Sequence, residues 1–76
     1  MFDNAACVLE IERWKRAAEI NPNDYQTLFN LATTLDQAGR TTEARSYFEA
    51  YVRVAPVALE SRDIARVKAW LSRHGS

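Results

Sequence analysis

The side chains that could carry chemistry are few and poorly placed for it. His74 is the only histidine and Cys7 the only cysteine, and they stand at opposite ends of a 76-residue chain. A zinc site needs three or four ligands, so this pair supplies too few. No Gly-rich phosphate loop occurs, and no nucleophile stands at a recognisable spacing from a base. Glu10 and Glu12 are two apart, which on a helix turns them to different sides. No catalytic residue, cofactor or metal is therefore expected, and the chain reads as a non-enzyme. Arg62, Arg66 and Arg73 share one side of a helical stretch, with Lys68 close by. Glu60 and Asp63 dilute that charge, so a solvated face is the reading.

Composition bounds what else the chain can be. Ten basic and ten acidic residues leave no net charge, which argues against a nucleic-acid binder. Hydrophobic residues make up 47%, as in a folded domain, and two glycines and two prolines leave little for turns. An all-α fold follows. With one cysteine no internal disulfide can form, and its apolar neighbours point to a buried thiol. No apolar stretch approaches the ~20 residues of a membrane span. The first residues lack the basic-then-apolar order of a signal peptide, and Asp3 and Asn4 look instead like helix caps. A cytoplasmic location is expected.

The elements that position these residues are set by short punctuation. Asn21, Pro22, Asn23 and Asp24 end one helix and open the next, with Asn23 and Gln26 at capping-box spacing. Gly39 can take the left-handed conformation after a second helix, and Thr41 can cap a third, with Glu43 in its first turn. Pro56 stops that helix, Ser61 with Asp63 caps a fourth, and Gly75 ends it. The division is residues 1–21, a helix pair over 24–56, and a last helix over 59–74. Each segment carries apolar residues three and four apart: Cys7, Ile11, Trp14 and Ala18; Leu28, Leu31, Ala32 and Leu35; Ala44, Tyr47, Phe48, Tyr51 and Val52; Ile64, Val67 and Leu71. Trp70 stands beside the last stripe.

Sliding the chain along itself by 34 residues places Trp14 on Phe48, Ala18 on Val52, Ile20 on Val54 and Pro22 on Pro56. That period in helix–turn–helix units marks the tetratricopeptide repeat. The stretch from Tyr25 to Ala58 resembles one whole repeat, with Leu28, Leu31, Ala32 and Leu35 on helix A, Gly39 in the turn, Ala44 and Phe48 on helix B, and Pro56 at the end. The resemblance implies a right-handed array of about four antiparallel helices. In it, Ala32 and Ala44 hold the small positions where helices A and B come closest.

Three positions depart from the family pattern. Glu10 falls where Ala44 sits, which fits a first helix with no helix A before it. Tyr51 replaces a second small residue of helix B, so packing against the next helix must be looser or shifted. At an offset of 36 the fourth helix aligns with helix A, but Lys68 then falls on Ala32, and the helix reads as a polar-backed cap. Arrays usually need about three repeats. The expectation is either a piece of a longer protein or a chain that self-associates.

The family's groove lies on the face of helix A opposite helix B. Mapped onto this chain, it implies Gln26, Phe29, Asn30, Thr33, Asp36 and Gln37 as contacts for a peptide or a partner helix. Asn30 matches the family's groove asparagine. Phe29 is read either as an apolar anchor for the ligand or as a residue packed under the first helix. Lysine and arginine are missing from the mapped positions, which argues against the family's clamp for a C-terminal carboxylate. A module for protein interaction is expected. The alternative is a homodimer formed through an open stripe on the first helix, around Ile11 and Trp14.

Overall fold

A computed structural model describes the backbone of residues 4–74 and the side chains of residues 8–74. Four helices follow one another: α1 (Asn4–Ile20), α2 (Tyr25–Gln37), α3 (Thr41–Val54) and α4 (Val57–His74). Consecutive helices pack pairwise, α1 on α2, α2 on α3 and α3 on α4. The α2–α3 pair is the centre, and α1 and α4 flank it. One core runs through all four helices, with Ile11, Leu31, Ala32, Leu35, Ala44 and Tyr51 almost or wholly enclosed. The expected caps at Asp3 and Gly75, and the side chain of Cys7, lie outside the described residues.

Local chemistry sets the turns, in places one residue away from expectation. Asp24, not Asn23, is the N-cap of α2: its carboxylate accepts from the Thr27 amide at 3.3 Å and from the Thr27 hydroxyl at 3.0 Å. Two oxygens let one carboxylate satisfy both donors, and the Asp24 carbonyl accepts from Leu28, so Leu28, Leu31 and Leu35 come to the core in register. Gly39 has φ +79°, the left-handed geometry of a helix C′ residue, and the Arg40 amide beyond it donates to Leu35. Thr41 is the first helical residue of α3 and not its cap. Arg40 holds the cap position with no side-chain bond to the helix, and its guanidinium instead grips Glu43 at 2.7 Å. Lys15 of α1 reaches the same carboxylate at 3.2 Å. The hydrogen bonds from Arg40 and then Lys15 hold the Glu43 carboxyl below its ordinary value.

Pro56 both stops α3 and starts α4. Ala55 before it is extended, as a residue preceding proline prefers. The Pro56 carbonyl then accepts from the amides of Leu59 and Glu60, so α4 begins at Val57, earlier than expected. A kink at Glu60 separates that opening turn from the rest of the helix, and Ser61 follows the kink. Tyr51 lies against this point. It is wholly buried, and its hydroxyl donates to the Glu60 carboxylate at 3.2 Å. Burial and that acidic neighbour push the Tyr51 phenol well above the usual tyrosine range.

The first helix corrects one expectation. Ile11 is only 1% exposed, and Trp14 is partly buried against the core. The stripe is therefore not open, because α1 lays it on the central pair and ties itself to α3 through Lys15 and Glu43. The large apolar residues left to solvent on α1, among the described residues, are Val8, Leu9 and, at its last position, Ile20. Among the described residues α1 and α4 make no close approach, so α4 is not what covers Ile11. Glu10 and Lys68, which break the small-residue pattern, are both exposed.

Candidate functional site

Helices α2 and α4 both pack on α3 and leave a gap between them. Their Cα atoms nowhere come within 8 Å among the described residues, and α3 lies beneath the gap. Tyr51 of α3 touches both helices: its ring lies 5.2 Å from the Phe29 ring and 6.5 Å from that of Tyr25 on α2, and its hydroxyl donates to Glu60 of α4.

The gap is a groove with an aromatic floor. Phe48 of α3 is buried at its base, with the Phe29 ring edge-on at 6.3 Å on the α2 side and Trp70 at 4.7 Å on the α4 side. Phe29 and Trp70 are each partly exposed, with the His74 ring 4.4 Å from that of Trp70, so each keeps some ring surface open. Phe29 packs against Phe48 and Tyr51. One end of the groove is a cleft of about 320 Å³ where Thr33 and Asp36 face Arg66, Val67 and Arg73 across Trp70. It continues at Phe29 into a second cleft of about 380 Å³, bounded by Gln26 and Asn30 on one side and Glu60 and Asp63 on the other.

Five of the six residues mapped from the family pattern therefore share this groove. Gln37, exposed in the last turn of α2, lines neither cleft. The Thr33 hydroxyl donates back to the carbonyls of Phe29 and Asn30, at 3.0 Å each, and Thr34 does the same to Asn30 at 2.8 Å. Their donors are thus engaged within the helix, while the Asn30 amide is exposed and able both to donate and to accept. The far wall was missed. Trp70 stood next to the α4 stripe, with Arg66 four residues before it and Arg73 three after, and that helical spacing was the available signal.

The tetratricopeptide-repeat family model matches residues 14–46. The chain carries a tetratricopeptide repeat. The matched stretch takes in the end of α1, the whole of α2 and the start of α3, where the turn at Gly39 and the enclosed Ala32 and Ala44 lie. The repeat points to a role in protein–protein interaction. No curated protein and no solved structure matches the chain significantly. Among the described residues no group of three or more His, Cys, Asp or Glu side chains could hold a metal ion, and no helix is long and apolar enough to cross a membrane.

Proposed function

We propose that this tetratricopeptide repeat binds a peptide segment of a partner protein in the groove between α2 and α4, by surface complementarity and without chemistry of its own. The observation that carries this reading is the pair of partly exposed rings, Phe29 and Trp70, set on either side of buried Phe48. Large rigid rings in a pocket are the usual anchors of an interface. Asn30 beside them offers an amide to the ligand backbone. The test is a peptide selected from a random display library on the whole chain, followed by calorimetric titration. Trp70→Ala is expected to weaken binding by about 2 kcal/mol or more, and Asn30→Ala by ~1–3 kcal/mol with folding unchanged. Gln37→Ala should leave affinity alone. Full affinity in both of the first two variants would place the ligand elsewhere.

A second reading is pairing of two chains through α1. Ile11 does not serve it, being buried, and Trp14 is partly buried, but Val8 and Leu9 are 49% and 65% exposed on that helix. A two-fold arrangement would let identical patches cover each other. Sedimentation equilibrium at several concentrations is expected to show a dimer that Leu9→Lys dissociates. A single-chain mass throughout the micromolar range counts against pairing.

A further inference from the structure

We infer that the peptide held in the α2–α4 groove carries charges of opposite sign on the two sides of an apolar anchor, its acidic side chain set between Arg66 and Arg73 and its basic side chain towards Glu60 and Asp63. This rests on the groove being the binding site, as proposed above, and adds the order of charges along the ligand.

The two ends of the groove differ in sign. At one end Arg66 and Arg73 stand on either side of Trp70, opposed by the single carboxylate of Asp36. Neither arginine has a salt-bridge partner among the described residues, where the ion pairs are those of Glu43 with Lys15 and Arg40. An unpaired guanidinium on each side of an aromatic ring suits a ligand carboxylate next to an apolar side chain. At the other end Glu60, which also accepts from the Tyr51 hydroxyl, and Asp63 share the cleft with Phe29 and the neutral amides of Gln26 and Asn30, and no cationic side chain lines it. A basic ligand residue is drawn there, and an acidic one is repelled.

Length is consistent with one short segment. From Asp63 to Arg73 the helix rises about 15 Å, which an extended chain spans in about four or five residues. Phe29 lines both clefts, so an apolar side chain seated on it lies between the two charged ends. The whole chain has no net charge, so this polarity belongs to the groove and not to the protein's overall field.

Three kinds of synthetic peptide test the inference, all acetylated and amidated so that no terminal charge contributes. Each has a central Phe-Leu pair. One kind has two lysines on one side and two glutamates on the other, in both orders; the second has four lysines, and the third four glutamates. Binding is read by fluorescence anisotropy at low salt. The better mixed peptide is expected to bind about tenfold tighter than either single-sign peptide, a difference that added salt reduces. Arg66→Glu with Arg73→Glu, both on exposed residues, should move the preference to the four-lysine peptide while circular dichroism stays unchanged.

Equal affinities for all charge patterns, with loss of binding in Trp70→Ala, would overturn the charge order and leave the groove reading standing. No binding by any peptide would overturn both. Tighter binding of a short oligouridine than of any peptide would also overturn it, as would a doubled mass that the mixed peptide does not dissociate.

Discussion

Tyr51→Ala is expected to destabilise the protein by about 3–5 kcal/mol, the range for deleting a large buried aromatic ring. The ring is wholly enclosed and meets three helices: it lies in α3, packs on Tyr25 and Phe29 of α2, and donates its hydroxyl to Glu60 at the kink of α4. A chain of this size has a core worth roughly 3–5 kcal/mol in all, so the variant should be largely unfolded or have α4 detached at 25 °C. Tyr51→Phe separates volume from hydrogen bond. It keeps the ring and loses one bond to a partly exposed carboxylate, for about 0.5–1.5 kcal/mol. Alkaline pH gives an independent check. The folded phenol resists ionisation, so its contribution is intact below the unfolded tyrosine value, about 10, and declines as pH rises above it. Wild type should therefore lose more stability than Tyr51→Phe above that pH. Urea melts followed by circular dichroism measure all three, and a loss below about 1 kcal/mol for Tyr51→Ala would mean that the ring is not what sets α4 in place.

Much of this arrangement was legible from residue types. Helices that cross closely need alanines at fixed intervals and larger side chains between them, so the 34-residue period survives in Trp14 and Phe48, Ala18 and Val52, and Pro22 and Pro56. Gly39 was readable because only a residue without a side chain enters the left-handed region freely. The caps were less so. Asn23 and Asp24 are both good N-caps, and which one serves is decided by the register that buries Leu28, Leu31 and Leu35, a tertiary constraint. Ile11 was misplaced for a similar reason: a stripe seen in sequence does not reveal how many neighbours will cover it, and α1 gains a tie to α3 through Glu43. For the groove, the α2 wall could be mapped from the repeat, while the α4 wall could not. Arg66 and Arg73 look like a solvated face until Trp70 is known to lie across from Phe29 over Phe48.

Ala44→Leu is the sharpest test of the repeat packing itself, with an expected loss of about 1–3 kcal/mol from overpacking. Ala44 has no exposed surface and lies in the first turn of α3, and Ala32, the other small position of the pair, is equally enclosed on α2. Three added carbons have no empty space to enter there, so either the α2–α3 pair spreads or the new side chain leaves its preferred rotamer. Both responses are costly in an interior packed like a crystal. Leucine and alanine differ little in helix propensity, so a loss cannot be assigned to the helix alone. Ala65→Leu supplies the control: Ala65 lies within α4 but is exposed, and the same substitution should stay within about 0.5 kcal/mol of wild type. Spreading of α2 from α3 also shifts Phe29 relative to Phe48, so Ala44→Leu should weaken groove ligands even though Ala44 touches neither cleft. If thermal melting shows Ala44→Leu as stable as Ala65→Leu, the close crossing of α2 and α3 at Ala44 is wrong, and the register of the repeat falls with it.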